Sequence, residues 1–140
     1  MAIHFASVDD VKTRLHQIVN ADVVERQLDG IVSDQLAVAL FAHRAFLVEG
    51  TTESSVFHGI GDKMSLGALE AAGISIVPVG GKTSIPLVHA ILSALGIPVY
   101  ALFDADRACA ARAKAKGKQQ NKIDEELAKN ARENRTTLKY

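Results

Sequence analysis

Four carboxylates at two places in the chain could do chemistry together. Arg44 to Glu53 reads Arg-Ala-Phe-Leu-Val-Glu-Gly-Thr-Thr-Glu, an apolar run that stops at Glu49 and is followed four residues later by Glu53. A second apolar run, starting near Pro98, ends in Asp104-Ala105-Asp106. Glu49 closes a strand, and Glu53 falls in the first turn of the next helix, where the helix dipole favours an acid. Asp104 and Asp106 share a side if the strand continues that far. Four clustered acids without basic neighbours repel one another, a cost that a divalent cation removes. Magnesium suits such a set: it prefers hard oxygens, takes one or two carboxylates directly and leaves places for phosphate oxygens, so phosphodiester chemistry is the natural use. For either pair alone, a helix cap or a solvated loop is the competing reading.

Other constellations are weaker. Gly80-Gly81-Lys82-Thr83-Ser84 resembles the end of a nucleotide phosphate-binding loop, but Ile76 stands where that loop needs its first glycine. Gly80, Gly81 and Lys82 remain a weak phosphate or nucleic-acid contact at a helix start. Gly59-Ile60-Gly61 fails the dinucleotide fingerprint because Met64 takes the third glycine's place. Cys109, His58 and His89 form no visible nucleophile and base pair. Tyr100 lies inside the strand leading to the acids, poorly placed for attack on DNA. An aspartyl phosphotransferase is disfavoured too, since Asp104-Ala105-Asp106 is not on the first strand and is followed by Arg107-Ala108.

The elements that must carry these residues alternate. Strands are expected at Ala45 to Val48, Ile74 to Val79 and Pro98 to Phe103, with helices from about Thr52 to Ala72 and Ser84 to Leu95 between them. Gly73 and Gly96 sit where each helix should end. Two consecutive strand-helix-strand units predict an α/β fold, a parallel sheet of three to four strands flanked by helices with right-handed crossovers. In such sheets ligands bind at the carboxyl ends of the strands, where the four acids fall. An N-terminal helical segment, 1–43, precedes this domain, 44–140. Its first helix starts at a capping box formed by Ser7 and Asp10 and covers about 8 to 19. A second runs from about Asp22 to His43, weakened or divided at Gly30. Lys114 to Gln120 reads as a loop and Asn121 to Asn134 as a surface helix, with Thr136 to Tyr140 able to begin another strand.

Composition sets the outer bounds. The 140 residues, 48% hydrophobic, suffice for one domain with a real core. No apolar stretch is long enough for a membrane span, and the N-terminus turns acidic before a signal-peptide core forms, so a soluble cytoplasmic protein without membrane contact is expected. A single cysteine excludes an intramolecular disulfide, and structural zinc is not expected. Net charge is zero, yet residues 1–106 hold 6 Lys+Arg against 12 Asp+Glu, and residues 107–140 hold 10 against 4. A basic tail points to polyanion contact, with an ordinary solvated helix as the alternative.

At the acids the chain resembles a TOPRIM domain, the catalytic module of topoisomerases and primases. That family has a glutamate ending a first strand, matched by Glu49, and an Asp-x-Asp ending a later one, matched by Asp104 and Asp106. More narrowly, Leu-Val-Glu-Gly-Thr-Thr-Glu, Val-Pro-Val-Gly-Gly-Lys and Leu-Gly-Ile-Pro-Val-Tyr-Ala-Leu-Phe-Asp-Ala-Asp resemble the nuclease domain of OLD-family (overcoming lysogenization defect) ATP-dependent endonucleases. The resemblance covers about residues 36 to 110. It implies DNA cleavage supported by Mg2+ or Mn2+, with Glu49 as metal ligand or general acid/base, Glu53 as a second ligand, and Asp104 and Asp106 as metal anchors. It also implies an ATPase, as a domain or a separate subunit, and leaves room for a homodimer. Family enzymes carry further acidic and lysine residues after the third strand; Lys122, Asp124 and Glu125 lie in that half but match no motif. The alternative function is a non-catalytic or partner-dependent TOPRIM remnant that binds metal or nucleic acid.

Overall fold

The segment Arg44–Val48 (β1) is the middle of the sheet, and its sequence explains why. A strand covered on both faces needs apolar residues almost continuously rather than in alternation, and Ala45, Leu47 and Val48 are each fully buried. In this computed structural model, which describes Thr13 and residues 34–106 and 108–139, β1 pairs in parallel with Ile74–Pro78 (β2) and with Val99–Leu102 (β3), giving the order β2-β1-β3. The expected α/β parallel sheet is therefore present, with three strands among the described residues. Register follows from the pairs Phe46 with Ile76 and Phe46 with Tyr100. Val48 pairs with both Pro78 and Leu102, so all three strands end at one level.

The helices follow the expected alternation with local differences. The helix α1, Asp34–Ala39, packs against β2. The rest of the expected N-terminal helical segment lies almost wholly outside the described residues. Thr51–Met64 (α2) and Ala68–Ala71 (α3) replace the single helix expected from Thr52 to Ala72. The break is at Gly67, which is left-handed (φ 70°) and whose N–H is taken by Asp62 Oδ1 at 3.0 Å. A short 3-10 turn, Lys82–Ser84, leads into Ile85–Ala94 (α4), with Pro86 in its first turn where no N–H is needed. The helix ends at Gly96 (φ 78°) through Ile97 N–H to Leu92 O and Gly96 N–H to Ser93 O, both 3.0 Å, as the glycine's position predicts.

Beyond β3 the chain is helical: Cys109–Ala115 (α5) and Gln120–Lys139 (α6). The possible strand at Thr136 to Tyr140 is corrected by this finding. Thr136 and Thr137 bond back to Arg132 O (3.0 Å) and Glu133 O (3.1 Å), the way a threonine is accommodated inside a helix. The expected loop from Lys114 is also shorter, since α5 runs through Ala115.

The core between sheet and helices consists of Ala39, Ala45, Leu47, Val77, Ile85, Val88 and Leu92, with Leu36, Val79, Ile97, Val99 and Phe103 packed around it. On β1, Phe46 meets Phe57 of α2 edge to face with ring centroids 4.8 Å apart. That contact fixes the start of α2 over the sheet, and with it the turn that carries Glu49 and Glu53. Among the described residues no helix is long and apolar enough to cross a membrane.

Candidate metal and phosphodiester site

The chain leaves β1 toward β2 on one side and later returns to β3 on the other, so the strand order reverses between β1 and β3. This is the place where parallel sheets open a crevice at their carboxyl ends. Glu49 follows β1 directly, and Asp104 lies two residues past β3. Across 55 positions of sequence the Asp104 N–H donates to Glu49 Oε1 at 2.6 Å. The main chain at Asp104 therefore reaches the Glu49 side chain, at the level where the paired strands end.

The other two acids are held differently. Glu53 Oε2 accepts the Gly50 N–H at 3.0 Å, the back-reaching half of a capping box, as suits an acid in a first helical turn. Asp106 lies beyond the end of the strand and is left-handed (φ 53°), a conformation aspartate tolerates. Asp104 Oδ1 accepts the Asp106 N–H at 2.8 Å, closing an Asx turn. The condition that the strand continue through Asp106 is thus not met, because β3 stops at Leu102.

The expectation that the acids lack basic neighbours is corrected at Asp106. Lys82 Nζ donates to Asp106 Oδ2 at 2.9 Å, and Arg112 Nη2 donates to Asp106 Oδ1 at 2.8 Å. Bonding to Lys82, above all, draws the Asp106 pKa below its ordinary 3.8; burial opposes this, while the charges of Lys82 and Arg112 and the Arg112 hydrogen bond reinforce it. Lys82 itself is only 6% exposed. It faces Asp106 and, at 3.9 Å, Glu133 Oε2. Gly80 and Gly81 are both at positive φ (76° and 135°) and form the turn that brings Lys82 inward.

The far end of α6 also reaches this edge. Asn134 Nδ2 donates to Ala105 O at 2.7 Å, and Thr137 Oγ1 lies 3.4 Å from Lys82 O as a weak donor. Glu133 and Asn134 carry no signal in the sequence because polar residues on a surface helix read as a solvated face, and Thr137 carries none because it falls in the stretch expected to begin a strand. Arg112 escaped the sequence reading because one arginine among the ten basic residues of that tail carries no distinguishing signal. His58 lies 3.8 Å from Glu70 on the neighbouring helix, and His89 bonds Ser93 on its own.

Whether these residues fit a divalent cation follows from the bonds. Glu49 and Asp104 each use one oxygen on a backbone N–H and leave the other without a partner among the described residues. One or two carboxylates are what magnesium ordinarily takes from a protein. Glu53 and Asp106 are engaged elsewhere, and no group of three or more His, Cys, Asp or Glu is close enough to hold an ion among the described residues. The fit is to a two-carboxylate site.

Residues 40–106 match the family model described as the TOPRIM domain of overcoming lysogenization defect protein-like proteins. Over 67 residues, 48% of this chain, the sequence is 37% identical to the Old nuclease of Escherichia phage P2. The match spans 11% of that relative's length.

Proposed function

Because residues 40–106 form an OLD-like TOPRIM domain of nuclease type, we propose that this chain supplies the metal-dependent phosphodiester-cleaving part of a DNA endonuclease. The observation that carries the reading is the junction of Glu49 and Asp104 at the switch point of the sheet. TOPRIM domains generally bind divalent metal ions, and here Glu49 and Asp104 would hold Mg2+ or Mn2+. Such an ion, when bound, stabilises charge on phosphate oxygens and lowers the pKa of a bound water.

The chain's own residues prepare that chemistry. The Asp104 N–H fixes the rotamer of Glu49, and the Asx turn fixes Asp104, so the two carboxylates are oriented before any ligand arrives. The second oxygen of Glu49 would serve either as the metal ligand or, in its stead, as the general acid/base. Glu53 holds the turn at Gly50, within one helical turn of Glu49. Asp106, bonded to Lys82 and Arg112, anchors the loop after β3. The basic residues after Asp106 provide sequence-independent attraction for the DNA backbone. An ATPase domain or subunit, and pairing of two copies, belong to the same proposal, motivated by the family resemblance.

The decisive experiment is nicking of supercoiled plasmid by the purified chain with magnesium or manganese. Cleavage that disappears in Glu49→Gln and in EDTA is the expected result. Equal cleavage by Glu49→Gln refutes the reading. A second reading, a non-catalytic TOPRIM module that binds metal or nucleic acid, is favoured by one observation: both oxygens of Asp106 are already answered by cations. It becomes the better account if metal or DNA binds and no cleavage occurs with any partner supplied.

A further inference from the structure

Lys82 is unusual for a lysine. The side chain is 6% exposed, yet among the described residues its ammonium has only Asp106 Oδ2 at 2.9 Å and Glu133 Oε2 at 3.9 Å as oppositely charged partners. Burial strips water from the ammonium, so these acids stand in for the lost solvent. The 3-10 turn and the end of α6 hold the residue's main chain, with Thr137, itself 9% exposed, leaning on the Lys82 carbonyl. Asp106 lies two residues from Asp104, yet Lys82 and Arg112 between them occupy both of its oxygens. A divalent ion approaching Asp106 would meet two positive charges already there. Glu133 changes the problem: its Oε2 is within 4 Å of the ammonium, so Lys82 can leave Asp106 by rotation about its own side chain and still face a carboxylate.

We propose that Lys82 is the resident counter-cation of Asp106, displaced when a divalent ion enters the acid edge, and that Glu133 of α6 receives the displaced ammonium. Both are positioning residues: they set how tightly the edge takes a metal, without touching the reacting atoms. The inference rests on the metal-dependent reading above and adds to it a competitor and an acceptor. Asp106 is thereby available to the ion only when Lys82 has somewhere else to go. Without Glu133 the ammonium would be stranded, buried and unpaired.

The test is calorimetric titration of the full chain with MnCl2 and with MgCl2, using EDTA-stripped protein whose fold is verified by thermal melting. Lys82→Met should bind metal about tenfold more tightly than wild type, the scale of losing one charge-assisted hydrogen bond from the competing state. Glu133→Gln should bind more weakly. In the double variant the effect of Glu133→Gln should vanish, because no ammonium remains to be received. A merely structural role for Lys82 predicts unchanged or weaker binding in Lys82→Met, and that result overturns the inference. If all variants bind as wild type does, the inference fails while the metal-dependent function stands. If wild type binds nothing but Lys82→Met binds, Lys82 blocks the edge without being displaced, and the inference is overturned. If none binds, both fall. Should Lys82→Met not fold, Lys82→Gln is read in its place, and if neither folds Glu133→Gln decides: weaker binding supports the inference and equal binding refutes it.

Discussion

Replacing Asp106 by asparagine removes one negative charge and little else. Asparagine tolerates the left-handed backbone that Asp106 adopts at φ 53°, so strain does not contaminate the result. What changes is the pairing of two cations. The bond to Arg112 is solvated, since that side chain is 53% exposed, and contributes about 0.5 kcal/mol. The bond to Lys82 is different, because the ammonium is 6% exposed and, among the described residues, retains only Glu133 at 3.9 Å. Losing a charge-assisted partner and leaving a buried ammonium poorly paired costs about 2 to 3 kcal/mol, discounted because Asp106 itself is 28% exposed. Asp106→Asn should therefore lower stability by roughly 3 kcal/mol, a fall in Tm on the order of 10 °C for a domain of this size. Urea unfolding in EDTA measures it, with Arg112→Gln as the control at about 0.5 kcal/mol. Equal losses in the two variants, or a loss under about 1 kcal/mol in Asp106→Asn, would refute the claim that Lys82 depends on Asp106.

The same ion pair has a pH signature. The folded pKa of Asp106 lies below 3.8, so its contribution is complete above that value and is lost as pH falls through the lowered folded value; the stability gap between wild type and Asp106→Asn should shrink on acidification, followed by urea midpoints from neutral pH downward. In the core, Leu92→Ala removes a side chain with no exposure and should cost about 2 to 5 kcal/mol in the same assay, at unchanged metal affinity. Gly73→Ala should cost about 1 to 2 kcal/mol, because Gly73 is at φ 66° and a Cβ there would stand 2.7 Å from His43 Nδ1, whose exposed ring can move aside.

The sheet was legible because its signals are local. The run Ala45 to Val48 can only be a strand buried on both faces, and Gly73 and Gly96 mark helix ends by a conformation other residues avoid. From there the meeting of Glu49 with Asp104 follows, since parallel strands of equal extent bring their ends to one edge. Lys82 was visible only as part of an anion-binding turn. Its partner lies 24 residues away, and nothing in the spacing tells whether a lysine after two glycines turns outward to a phosphate or inward to an aspartate. The end of α6 was misread for a related reason. β-branched Thr136 and Thr137 suggest a strand, but each hydroxyl bonds the carbonyl four residues back, and the helix continues. Propensity describes isolated residues, while Glu133 and Thr137 gain their meaning from the turn they pack against.

The reach of Thr137 toward Lys82 spans 55 residues, the same separation that joins Glu49 to Asp104. Neither arm of the edge can form from local chain alone: the carboxylate pair waits for β3 to dock beside β1, and the enclosure of Lys82 waits for the last turns of α6. Contacts this remote form late and slowly, because loop closure precedes any stabilisation they give. During synthesis the emerging chain would carry its acids unjoined until both segments have left the ribosome. The enclosure of this edge is thus tied to α6, and a polypeptide lacking Glu133 to Thr137 would expose the Lys82 side of it.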